Sequence, residues 1–356
     1  MRGAVLVTAT VCAALSPPVT KHSLPWRNGA NACDVAYTRS GSVSSDAAIV
    51  FCPGFGAGAF HFDAVASLVA EGGHAAYAMD WFGQGDSWPE AAEAGASHGI
   101  EAWARQLADF LASDVLAGHA EVYVAGNSVG GLAATLAAAR GARCDGLILL
   151  NATPFWSFWG PSGSPLWDGT LPAPAPLRAF AKVWFDTLRS PATVRRLLSQ
   201  VYASPAACDA ALAKQICAAA SHPVGPDAFA SILFSGASRI EYDDALTMAA
   251  ASTPVGLCYG AEDPWVFPAW GQRAFRRAGS AAYYELSPAG HCPHHEAPAA
   301  TAAVLRSLLD EWRAGGTRAP PEKITAVEAD GRRIVATRVD GTPRGLLERG
   351  AALAWG

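Results

Sequence analysis

Six residues constrain this chain more than any others: Gly126-Asn127-Ser128-Val129-Gly130-Gly131. A strand-like run, Val122-Tyr123-Val124-Ala125, leads into them, and an Ala-rich helical run from Leu132 to Arg140 leads out. A G-x-S-x-G turn between strand and helix is so tight that its flanking residues must be glycine or nearly so. The turn holds the serine oxygen above the sheet, with the N-terminus of the next helix beneath it. Negative charge developing there is favoured. The motif therefore predicts a nucleophilic serine, provided that an acid and a histidine follow in the right order.

They do follow, in the order Ser, acid, His that such a turn requires. Pro254 to Tyr259 reads as a buried strand, and Gly260-Ala261-Glu262-Asp263-Pro264-Trp265 is the loop leaving it. Asp263 stands where a carboxylate can orient an imidazole, with Glu262 in the same loop as the alternative. The other common acid position, just after the strand that follows the elbow helix, holds Asn151. A further strand, Ala281 to Leu286, leads to His291 in a loop before the last long helix, Ala299 to Ala314. Ser128, Asp263 and His291 are thus expected as nucleophile, orienting acid and base. His291-Cys292-Pro293-His294-His295 packs four potential metal ligands together. Proline interrupts the run and no second ligand cluster exists, so no metal is expected. His294 and His295 are expected to pack or hydrogen-bond beside the base.

A second glycine cluster follows the strand Ala48-Ile49-Val50-Phe51. Gly54, Gly56 and Ala59 match G-x-G-x-x-A, and Asp80 ends the next strand, which mimics a dinucleotide-binding fingerprint. Beside an ordered triad, the better reading is an oxyanion loop. The N–H groups of Phe55 and Val129 would hold the oxyanion, with Gly54 and Gly56 allowing close approach of substrate. No cofactor is expected. Asp80 to Ser87 then reads as a structural turn.

Between Thr153 and Ala251 the strand-helix alternation gives way to aromatic and proline-rich sequence with helical runs. The fold expected is an α/β-hydrolase: a doubly wound, mostly parallel sheet with an inserted helical cap. Its division is a leader at 1–33, core at 34–153, cap at 154–251, core at 252–316, and a C-terminal hairpin with short helix at 317–356. Trp156, Trp159 and Trp265 flank strand ends, and with Asn127 are expected to contact substrate.

The chain resembles the pheophytinases, plastid α/β-hydrolases that remove phytol from magnesium-free chlorophyll. The matching stretches are Pro53 to Gly56 with Phe60-His61-Phe62, Asp80 to Gly85, Gly126 to Gly131, Leu150 to Trp156, Glu262 to Val266, and Tyr283 to His294. Shorter matches are Gln200-Val201-Tyr202, His222-Pro223 and Phe229 to Ile232. Val129 stands where the family usually carries leucine. The resemblance implies hydrolysis of a chlorophyll-derived ester in the chloroplast. It also implies peripheral contact with the thylakoid membrane and other chlorophyll-breakdown proteins as partners. A carboxylesterase or lipid-ester hydrolase, an acyltransferase, and a non-catalytic pigment- or lipid-binding protein are the alternatives.

Composition agrees with a greasy ligand: 51% of residues are apolar and only 16% charged, against a usual quarter. A net charge of −5 argues against nucleic acid. Eight cysteines without paired spacing read as reduced thiols. The acid-free N-terminal leader fits either secretion or organelle import, and the resemblance favours the plastid.

Overall fold

Short apolar runs build a sheet from the middle outward. The computed structural model describes residues 5–7, 17–156, 159, 162–279, 282–316 and 320–340. Its strands are β1 (Val5–Val7), β2 (Thr20–Asn28), β3 (Asn31–Ser40), β4 (Ala47–Cys52), β5 (Ala75–Met79), β6 (Glu121–Asn127), β7 (Gly146–Leu150), β8 (Val255–Gly260), β9 (Ala282–Ser287), β10 (Lys323–Val327) and β11 (Arg333–Arg338). They lie in the order β1-β10-β11-β9-β8-β7-β6-β4-β5-β3-β2. From β5 through β9 the neighbours are parallel, and β3 and β11 flank that block antiparallel.

The helices are α1 (Asp63–Glu71), α2 (Ile100–Leu111), α3 (Val129–Ala139), α4 (Ala175–Leu188), α5 (Pro191–Val201), α6 (Ala210–Ala219), α7 (Gly225–Leu233), α8 (Tyr242–Ala250), α9 (Pro268–Ala278), α10 (Pro293–Glu296) and α11 (Pro298–Arg313). Along β4, Ala48, Val50 and Cys52 face the layer of α2, α3, α8 and α9, while Ala47, Ile49 and Phe51 face α1 and α11. Successive strand residues point to opposite faces, so a strand covered on both sides must be apolar throughout. The expected doubly wound, mostly parallel sheet is what forms.

β4 lies between β5 and β6, so the winding of the chain reverses there. The loops leaving β4 and β6 part at this switch, and the crevice between them is where ligands enter such sheets. Above it, α4 to α7 form a cap with two anchor points. Phe185, Phe229, Leu233 and Phe234 cluster with Phe55 on one side, while Val201, Tyr202, Cys208 and Leu212 cluster with Cys292 on the other.

Two boundaries differ from the sequence expectation. Residues 20–28, assigned to a leader, form β2 and pair along its whole length with β3. Trp26 is buried there, and its indole N–H donates to Asp109 Oδ2 at 2.9 Å. The two-residue Gly29-Ala30 turn, with Gly29 at φ +61°, is the hairpin signal that marks it. Helix α8, assigned to the cap, instead buries Ala245, Leu246 and Ala249 in the core beside α3. At the far edge β10 and β11 form the expected hairpin, and β11 covers the edge of β9. The short C-terminal helix lies outside the described residues, as do residues 1–4 and 8–16 of the leader. The described cysteines are free thiols.

Candidate active site

Strand β6 delivers Ser128 at φ +53°, ψ −124°, a conformation that costs energy for any residue with a side chain. The glycines around it answer to space. A Cβ on Gly126 would lie 2.5 Å from Gly130 O, one on Gly130 2.3 Å from Cys52 O, and one on Gly131 2.4 Å from Ala152 Cβ. Val129 opens α3, so its N–H is one of the first-turn donors that helix geometry leaves without an intrahelical acceptor.

Asp263 and His291 arrive from the loops after β8 and β9. The Asp263 carboxylate is buried and accepts from four donors. Its Oδ2 lies 2.7 Å from His291 Nδ1 and 2.8 Å from Asn151 Nδ2. Its Oδ1 takes the N–H groups of Trp265 at 2.8 Å and Val266 at 3.0 Å. An acceptor at Nδ1 keeps the proton on that nitrogen and leaves Nε2 for other chemistry. Glu262, the alternative acid, is occupied elsewhere: it accepts from Ser287 Oγ at 2.6 Å and from Ala289 N–H at 2.8 Å. It ties the two loops together.

Two asparagines complete this side. Asn151, at φ +43°, accepts the Gly260 N–H at 2.8 Å while donating to Asp263. Sequence reasoning set it aside because it is not an acid, and missed that it holds one. Asn127 was expected to touch substrate. The structure corrects this: its side chain is buried, and Nδ2 donates at 2.9 Å to both Leu150 O and His291 O. The residue before Ser128 thus joins the elbow to the histidine loop.

On the opposite side runs the loop after β4. A Cβ on Gly54 would lie 3.3 Å from Ser128 Cβ, so the backbone passes directly beside the serine. Trp81 Nε1 donates to Pro53 O at 2.7 Å, and Gly56 N–H to Gln84 Oε1 at 2.7 Å. Asp80 accepts the Ala59 N–H at 2.6 Å and the Asp86 N–H at 2.8 Å, so both of its oxygens brace this loop. Burial pushes its carboxyl up to about 6. Ser87 is fully buried between Asp80 O and the Ala36 N–H.

The three tryptophans part company. Trp156 packs on Phe55 with centroids 5.0 Å apart, and Trp265 sits 5.7 Å from the His291 ring with 55% of its surface exposed. Trp159 does not join them. Its ring stacks on Phe234 and its N–H donates to Leu233 O at 3.0 Å, on a half-exposed face of the cap. A bulky indole at a strand end satisfies cap packing as readily as ligand contact.

Beside His291 lies a buried cluster of polar rings. Tyr202 OH bridges His61 Nε2 at 2.7 Å and His295 Nδ1 at 3.2 Å, and His294 Nε2 lies 3.2 Å from His61 Nδ1. Burial lowers His61 and His294 well below the ordinary imidazole range and His295 to about 4, so all three are neutral near pH 7. Among the described residues no group of three or more His, Cys, Asp or Glu is placed to hold a metal.

This geometry can be set beside known proteins. Residues 49–304 match the model of the alpha/beta hydrolase family. The chain is 31% identical over 324 residues to chloroplastic pheophytinase of Arabidopsis thaliana, covering 81% of this chain. It spans 66% of that relative's length. Among solved structures, a membrane phospholipase A is similar with a TM-score of 0.61 at 22% identity, over 83% of this chain and 87% of that one. A thermophilic esterase from Thermogutta terrifontis is similar with a TM-score of 0.62 at 18% identity, over 82% and 99%. At such identities these two show the fold alone.

Proposed function

The chain belongs to the alpha/beta hydrolase family, and on that premise we propose that it is a serine esterase cleaving pheophytin to pheophorbide and phytol. The contact of 2.7 Å between Asp263 and His291, on a loop that Asn127 ties to the Ser128 elbow, supports the chemistry. The likeness to a chloroplastic pheophytinase supports the substrate and a plastid location. Among the described residues no helix is long and apolar enough to cross a membrane.

The reaction runs in two halves. Ser128 Oγ attacks the ester carbonyl while His291 Nε2 takes its proton, Asp263 steadying the imidazolium that forms. The N–H groups of Phe55 and Val129 receive the oxyanion. Collapse expels the alcohol, which leaves with the proton held on His291. Water then attacks the acyl-enzyme by the same route in reverse and frees the acid. Every bond change is supplied by ester, water and these side chains.

Incubation of the purified protein with pheophytin, chlorophyll and a short nitrophenyl ester tests both parts. Release of pheophorbide from pheophytin, absent in Ser128→Ala, is the expected result. Cleavage of the short ester alone retains the chemistry and removes the pigment assignment.

A further inference from the structure

An apolar cleft of about 60 Å³ opens between the loop after β4, the turn after β5 and the cap. Phe55, Trp88, Phe185, Ile216 and Phe229 supply its walls, with small residues such as Gly83, Gly85 and Ala220 leaving the space between them. We infer that this cleft receives the acyl half of the substrate, and that Gln84 gives that half its hydrogen bond. The inference rests on the serine-esterase reading above.

The side follows from the proton. The departing alcohol takes a proton from His291, so its oxygen must lie within hydrogen-bond reach of that ring. Among the described residues lining the cleft, none comes from the Asp263 or His291 loops. Phe55, which lines the cleft, follows Gly54, whose backbone passes beside Ser128; the cleft thus opens on the oxyanion side of the serine, and the group that enters it is the one that stays on Ser128. The alcohol departs on the opposite flank, where half-exposed Trp265 stands beside His291.

The ligand's chemistry follows from Gln84, which is 6% exposed. Its Oε1 accepts the Gly56 N–H, which fixes the orientation of the amide. The Nε2 group is then turned away from Gly56, is buried, and has no hydrogen-bond partner. A buried donor left unpaired is costly. A saturated acyl chain would suit the aromatic walls and leave that cost standing. An apolar, ring-bearing acyl group carrying a carbonyl oxygen would remove it. In pheophytin the acyl half is the macrocycle, which bears carbonyl oxygens near its esterified side chain. A cleft of this size takes one edge of it.

Two comparisons test the inference. The first pairs the para-nitrophenyl esters of γ-phenylbutyrate and its γ-keto analogue, measured on the wild type and on Gln84→Glu. Glutamate keeps an oxygen for Gly56 N–H and loses the donor. The wild type should favour the keto ester about tenfold in kcat/KM, and the variant should lose that preference. The second uses Ala220→Trp, which narrows the cleft from the cap. Its losses should grow with the size of the acyl group and be indifferent to the length of the alcohol. Equal treatment of the two phenyl esters by the wild type, or Ala220→Trp losses that track the alcohol, would overturn the assignment. If the wild type cleaves no ester at all, the esterase reading fails first and this inference falls with it.

Discussion

The two flanks of Ser128 are built on opposite principles. On the Asp263 side nearly every contact is a directed hydrogen bond: four donors on one carboxylate, an asparagine holding two loops, a tyrosine between two imidazoles. On the Phe55 side the cap meets the core through stacked and tilted rings, with Phe229 6.2 Å and Trp156 5.0 Å from Phe55. Hydrogen bonds fix positions to fractions of an ångström, as proton transfer demands. Dispersion contacts tolerate adjustment, as an apolar ligand demands. Under the proposed function, the difference gives chemistry and recognition separate walls of one crevice.

Substitutions can break that contrast from its strongest point downward. Ser128→Ala should lower kcat by roughly four to six orders of magnitude with little change in fold, read by steady-state kinetics and circular dichroism. Asp263→Asn keeps the shape and forfeits the charge that steadies His291; a loss of about four orders is expected, since the imidazole can turn to the wrong tautomer. Retention of a tenth of the activity in either variant would remove that residue from its role. Tyr202→Phe acts less directly: it leaves His61 and His295 each without the shared hydroxyl and should cost about 1–3 kcal/mol in denaturant titration.

The smallest expected effect is a pH slope to which the polar flank contributes three imidazoles, with buried His98, lowered to about 3, adding in the same sense. In the unfolded chain His61, His294 and His295 titrate near 6.5, whereas in the fold they sit far lower. Between those values the unfolded state binds more protons, so stability is complete above about pH 6.5 and declines as the pH falls toward 4. Asp63 and Asp80, both raised to about 6, hold protons in the folded state over part of that window and offset some of the loss. Denaturation midpoints at pH 7.5 and 5 should show the decline, and a flat profile would mean that the imidazoles are not buried as described.

What could be read in the sequence followed the same divide. Ser128, Asp263, His291 and Gly54 sit at the ends of strongly apolar strands, where local turn chemistry marks them. Asn127, Asn151 and the Tyr202 cluster depend on loops far apart in sequence converging, and no local pattern announces that. Trp159 misled because an aromatic near a strand end can serve packing or ligand equally well. β2 escaped because Lys21, Pro25 and Arg27 interrupt its pattern on a half-exposed edge strand.

Asn151 has a consequence for ancestry. It occupies the other common site for the acid, and its amide reaches the carboxylate that stands at the second. The two addresses therefore lie one hydrogen bond apart, and the second faces the imidazole. Aspartate at 151 would replace that donor with a second carboxylate, so a charge moved from one loop to the other must pass a stage in which two like charges share one site. The geometry makes the acid's location a matter of history, while the histidine's stays a matter of necessity.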